Sequence, residues 1–161
     1  MKPRGAPVTL MEKKSALTAL AALRVYLGLV WFTYGRSKFE PNWAGGHHEF
    51  LSAVNDAAKG TGEPFRSLLT HVVIPNQAVF AQLIAFGETL VGISLILGLL
   101  TRAGAAGGIF LAANYYFATG RYLLYFGIES IELMLLVLSL YILISPSAAV
   151  LSIDRRIRRR A

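Results

Sequence analysis

The run from Val79 to Arg102, VFAQLIAFGETLVGISLILGLLTR, limits the fold more than any other stretch of the chain. A helix of about 20 mostly apolar residues crosses a bilayer, and this run is long enough. Glu88 sits near its middle. A carboxylate in hydrocarbon costs several kcal/mol unless it is paired, protonated or wetted. Glu88 is therefore expected to face the protein interior or a cavity, and the rest of the chain must supply the neighbours. Gly92 lies one turn further on the same face, and Ser94 and Gly98 form a second small pair. Small residues at that spacing let another helix approach closely.

Further runs of the same kind surround it. Hydrophobic residues make up 55% of the 161 residues and charged residues 16%, clustered so that a membrane protein is expected, as one domain over 1–161. A first span is expected at about 15–34, with Arg24 near its centre, Gly28 one turn on, and Trp31 and Tyr34 as aromatic anchors near the far end. Arg24 there either pairs with an acid or snorkels to a headgroup. The second span covers 79–100. A tight turn at Thr101-Arg102 leads to a third at 103–118, where Gly104, Gly108 and Ala112 make a close-packing seam and Asn114, Tyr115 and Tyr116 approach the end. A fourth covers 122–144 and carries Glu129 and Glu132. The expected fold is all-α, an integral membrane four-helix bundle.

Between spans one and two lies a long polar connection. Glu49 to Lys59 places Phe50, Leu51, Val54 and Ala57/Ala58 on one helical stripe, and Phe65 to Val73 is a second amphipathic piece stopped by Pro75. Both read as short helices on the membrane surface or capping the bundle. Ten cations (Lys2, Arg4, Lys13, Lys14, Arg102 and five arginines in the tail) fall on one side, and five (Arg36, Lys38, Lys59, Arg66, Arg121) on the other. The positive-inside rule then places both termini in the cytoplasm of a multi-pass protein of the cytoplasmic membrane. No cleavable signal peptide is expected. The basic tail beside a membrane points to anionic lipid rather than nucleic acid.

Four antiparallel spans of these boundaries bring Arg24, Glu88 and Glu132 to similar depths, with Glu129 a turn nearer the outer face and Asn114 close by. One arginine cannot neutralise three glutamates, so protonation, water, another cation or a ligand must compensate. Buried acids of that kind can take and release protons. The structural alternative is an Arg24–Glu88 pair that only fixes helix register. The absence of cysteine excludes thiolate and disulfide chemistry within the chain. The histidines His47, His48 and His71 all fall in the outer connection, which gives a bundle haem no facing pair, and adjacent His47-His48 is a poor chelate for one metal ion. No phosphate loop, dinucleotide fingerprint or Ser-His-Asp order is present.

Taken in order, ALRVYLGLVW followed by GRSKF, then PNQAVFAQLIAFGETLVGISLILGLLTRAGA running into LAANYYFATG, and finally LSIDRRIRRR, resemble the DoxX/DoxD family of small four-helix membrane proteins. The Pro-x-Trp and Val-Ile-Pro-Asn pieces of the long connection look more like the DoxD branch. The resemblance implies a membrane subunit of thiosulfate:quinone oxidoreductase, which works with a DoxA subunit and passes electrons from thiosulfate to a quinone with tetrathionate as product. On that reading the cofactor is a quinone. Arg24, Glu88, Glu132, Glu129 or Asn114 would bind its carbonyls or deliver protons, and Tyr115, Tyr116 and Trp31 would pack on its ring. Arg36, Lys38 and Arg66 are conceivable guides for the thiosulfate anion. The partners expected are membrane lipid, a DoxA-like or other redox subunit, and, through the small-residue seams, a second copy of the chain. Two other functions compete with this one: a non-catalytic scaffold that anchors a redox partner, and a small proton-coupled transporter.

Overall fold

The computed structural model of the chain describes residues 10–41, 43, 48–120 and 130–146. All regular structure within them is helical. The elements are α1 (Leu10–Ser37), α2 (His48–Gly60), α3 (Phe65–Leu68) running into a π-helical stretch (Leu69–Val73), α4 (Gln77–Leu97), α5 (Thr101–Thr119) and α6 (Ile131–Ile144). Two of them, Met11–Ser37 and Gln77–Leu97, are long and apolar enough to cross a membrane, and Ile131–Ile144 is apolar but shorter. Residues 122–129 of the expected fourth span at 122–144, with Glu129, lie outside the described residues, as do Arg121, the basic tail, Lys2, Arg4 and His47.

α1, α4, α5 and α6 surround one core. Leu27 and Trp31 of α1 meet Val91 and Leu95 of α4, Ala105 and Ala112 of α5, and Leu135 and Ile142 of α6. The α1–α4 contact is the most extensive among the described helices. It is a backbone-to-backbone approach made possible by glycine. A Cβ on Gly28 would fall 2.8 Å from Ile96 N, one on Gly35 would fall 2.5 Å from Thr89 N, and one on Gly92 would collide with Phe32 N. The small-residue seam expected at Gly92 is therefore occupied by α1. The seam at Gly104 and Gly108 meets Ser94 of α4 and Ser139 of α6.

Those three contacts share one antiparallel register, and it revises the expected depths. Glu88 is level with Arg36, whereas Arg24 is level with Leu100, twelve residues or about 18 Å further along the helix axis. Arg24 and Glu88 are thus at opposite ends of the α1–α4 pair. The depths differ because the glycine contacts set the C-terminal half of α1, not its middle, along α4, and α1 (Leu10–Ser37) also runs past both ends of the expected 15–34. Trp31 is corrected as well. It is 1% exposed inside the core and is no interfacial anchor.

The α4–α5 turn also differs in detail. Gly98 stops α4 in the left-handed region at φ 64°, Leu100 follows at φ 52°, and Thr101 and Arg102 already belong to α5. The turn is held by Ser94 Oγ, which donates to Leu99 O at 2.6 Å. At the start of α6 the Ser130 side chain accepts from Leu133 N at 3.2 Å, and Ser130 itself is extended (ψ 138°). Glu132 is consequently in the first turn of α6.

The connection between α1 and α4 folds into a cap. α2 buries Phe50, Val54 and Ala58, the expected stripe, against Leu69 and Val73 of the π-helical stretch and Ala81 of α4. Its C-terminal end is fastened to that of α5. Thr61 Oγ1 donates to Phe117 O at 2.7 Å, and Gly60 O lies against Gly120, which ends α5 at φ 66°. Arg66 closes the corner by donating to Ala58 O at 2.9 Å and Thr61 O at 2.6 Å.

Candidate functional site

The partner of Glu88 is Lys38. Glu88 is 1% exposed, and Lys38 Nζ donates to its Oε2 at 2.7 Å from just beyond the end of α1. The constant α1–α4 register brings this about, since it sets Glu88 beside the last turn of α1. On its other oxygen Glu88 accepts from the Tyr115 hydroxyl of α5. Lys38 Nζ also lies over the rings of Tyr34, Trp43 and Tyr115, at 5.6, 5.2 and 5.9 Å from their centroids. Aromatic faces attract a cation, more strongly when water is excluded. The cluster therefore holds one negative and one positive charge, with a phenol hydrogen-bonded to the acid. At Glu88 the expected charge imbalance is absent, because Lys38, read from the sequence as an outer basic residue, turns inward.

Two cavities adjoin this cluster. The first, about 370 Å³, is almost entirely apolar and lies between the α2–α3 cap and helices α4 and α5. Phe50, Val54, Leu69, Ile84 and Leu111 supply much of its wall. Asn114, Tyr115 and the Trp43 side chain also line it. Asn114 Nδ2 donates to Phe110 O at 2.7 Å. The buried Trp43 indole N–H has no hydrogen-bond acceptor among the described residues. Such a donor costs about 1–3 kcal/mol while it is unsatisfied. The Trp43 ring is held edge-on against Phe50, with centroids 5.5 Å apart.

The second cavity, about 420 Å³, is more open, and Asp56, Thr119 and Glu132 line it. Glu132 Oε2 is buried without a hydrogen-bond partner among the described residues. Tyr115, Ala53, Ala57 and Ala118 border both spaces, so Tyr115 stands between an apolar and an acidic compartment.

Of the residues singled out in the sequence, Glu88 and Tyr115 meet directly, Asn114 and Tyr115 share the apolar cavity, and Glu132 and Tyr115 share the acidic one. Arg24 is completely buried at the other end of the bundle, and Trp31 borders neither cavity. Glu129 lies outside the described residues. Sequence reasoning missed Lys38 as the partner of the acid and Trp43 as a wall residue. The available signals were the GRSKF ending of the first helix and the Pro-x-Trp piece after it. Among the described residues no group of three or more His, Asp or Glu is arranged to hold a metal ion.

Comparison with curated proteins and with solved structures returns no match. Comparison with family models matches residues 19–121, a stretch that contains Lys38, Trp43, Glu88, Asn114 and Tyr115 and stops short of Glu132. The chain belongs to the DoxX family of membrane proteins.

Proposed function

We propose that the chain is the quinone-interacting membrane subunit of an oxidoreductase, with the quinone ring in the apolar cavity. The observation that carries this reading is the union of an apolar chamber with hydrogen-bonding groups in one wall. Asn114 and Tyr115 offer polar contacts to a ring, and the Trp43 side chain lines the same chamber. A cavity of about 370 Å³ falls at the small end of the usual ligand range of about 300–1,000 Å³, enough for a substituted ring. A quinone held there by Asn114 and the apolar wall would supply a two-electron, two-proton acceptor. The chain's own part is to orient the ring, exclude water and hold a proton at the Tyr115 hydroxyl, whose neighbours Glu88 and Lys38 form a hydrogen-bonded acid–base pair behind it. The chain has no cysteine to carry electrons as thiol or disulfide, so this reading takes them from a bound quinone or a partner subunit. The DoxD-like resemblance supports thiosulfate as the ultimate donor.

The test is quantification of quinone in the protein purified in mild detergent, by extraction and mass spectrometry. Near one quinone per chain is expected, falling at least several-fold in Asn114→Leu and Trp43→Phe. Quinone no higher than in an unrelated membrane protein purified alongside would overturn the reading. Proteins co-purifying in the same sample would then support a scaffold that anchors a redox partner.

A further inference from the structure

We infer that the apolar cavity opens sideways into the bilayer, through a mouth rimmed by Leu83 of α4, Phe110 of α5 and Leu68 of α3. Its ligand keeps a ring inside and trails a hydrocarbon tail through that mouth into lipid. The inference rests on the quinone reading for the identity of the ring, and it adds the route and the class of molecule admitted.

The rim residues have a double character. Leu83, Phe110 and Leu68 line the cavity, yet they are 59%, 68% and 43% exposed on the outer surface. Among the described residues no charged side chain lines that cavity. Leu83 also belongs to a stripe on α4 formed by Val79, Phe86 and Leu90, each more than half exposed. A contiguous apolar surface of that extent is what a helix presents to lipid and seldom what a protein presents to water. The mouth therefore opens onto the face of a candidate membrane span.

The other side of the cavity closes off the alternative route. Beyond Tyr115 lies the compartment of Asp56 and Glu132, where a hydrocarbon chain would desolvate carboxylates. Tyr115 itself is held in the partition by its bond to Glu88. The chamber then has one apolar exit and one acidic boundary, with Asn114 in its wall as a polar group for a ring. A space of about 370 Å³ holds a ring and not a long isoprenoid chain as well, so the chain must leave by the apolar exit.

The experiment exploits the absence of cysteine and the presence of only two tryptophans. Leu83→Cys is an exposed substitution and gives a single thiol at the rim. The protein in phosphatidylcholine vesicles is left unlabelled, labelled with a small methylthio group, or labelled with a bulky aromatic maleimide. Quenching of Trp43 fluorescence, defined as the part lost in Trp43→Phe, is followed after adding a benzoquinone with a long isoprenoid tail or the same ring without a tail. Both quinones should quench in the unlabelled protein. The bulky label should slow quenching by the tailed quinone at least tenfold and leave the bare ring and the small label without effect. Phe110→Cys should repeat the result from the opposite side.

Unchanged entry of the tailed quinone with bulky labels at both positions overturns the lateral mouth while leaving the ring site standing. Failure of either quinone to quench Trp43 in the unlabelled protein overturns the quinone reading and this inference together. Quenching by bromine-tailed phosphatidylcholine that quinone does not relieve assigns the cavity to a lipid acyl chain and overturns the quinone occupant.

Discussion

Removing either end of the Lys38–Glu88 pair should have unequal consequences, and the inequality can be worked from burial. Glu88 is 1% exposed on α4 and cannot reach water by a rotamer change, whereas the Lys38 side chain is 14% exposed at the end of α1. Lys38→Met leaves a buried carboxylate with the Tyr115 hydroxyl as its remaining neutral partner, a loss of about 3–5 kcal/mol for a broken buried pair. Glu88→Gln leaves the lysine with the faces of Tyr34, Trp43 and Tyr115 and a way out to solvent, so about 1–2 kcal/mol is expected. Once the carboxylate is gone, removing the lysine costs little more. The double variant should therefore lie near Glu88→Gln, with a coupling energy close to the whole Lys38→Met loss, about 3–5 kcal/mol. Reversible unfolding of the four proteins in mixed micelles, with increasing mole fraction of dodecyl sulfate and helicity followed by circular dichroism, measures all the terms. Additive losses, or a larger loss for Glu88→Gln than for Lys38→Met, would refute the pairing described above.

Gly92→Ala places a methyl against the Phe32 backbone, which has no rotamer to yield, and should destabilise the α1–α4 pair by at least about 1–3 kcal/mol in the same assay. Thr61→Val removes the hydroxyl that donates to Phe117 O at 2.7 Å. Amide exchange should quicken in α2 by roughly the five-fold or more that about 1 kcal/mol of lost hydrogen bonding gives, with α1 and α4 unchanged. Arg24→Gln should lower the unfolding midpoint, since Arg24 is wholly buried, yet leave the quinone content per folded chain unchanged. A drop in quinone with intact folding would return Arg24 to the site.

The sequence was informative wherever a pattern acts locally. Glu88 was correctly read as interior, because the cost of a carboxylate in hydrocarbon depends on the apolar run around it and on no other part of the chain. The α2 stripe of Phe50, Val54 and Ala58 and the close approach at Gly92 followed from helical period and residue size. What escaped was the relative axial position of two helices. Arg24 and Glu88 were both near the middle of their runs, and equal depth was the simplest assumption. The Gly28, Gly35 and Gly92 contacts instead slide α1 past α4 until Lys38, outside every apolar run, reaches the acid. Glu132 was misplaced for a related reason. Hydropathy does not register the extended backbone at Ser130, where α6 begins. The cavity depended on Trp43 and α2 folding back over α4 and α5, a long-range arrangement with no local signal.

The glycine contacts between α1 and α4 have a mechanical consequence. Where main chains touch, there are no intervening side chains to change rotamer, so the two helices form a stiff spine that tolerates neither sliding nor splaying. Glu88 is mounted on that spine and Lys38 just beyond its end, while the apolar cavity beside them is walled by α4 on one side and by α2, α3 and α5 on the others. Any breathing that admits or releases a ligand must then be carried by the cap and α5, which are pinned to each other at Thr61 and Gly120. The charge pair would keep its geometry while the chamber beside it changes volume, and the Tyr115 hydroxyl is the joint between the fixed half and the moving one.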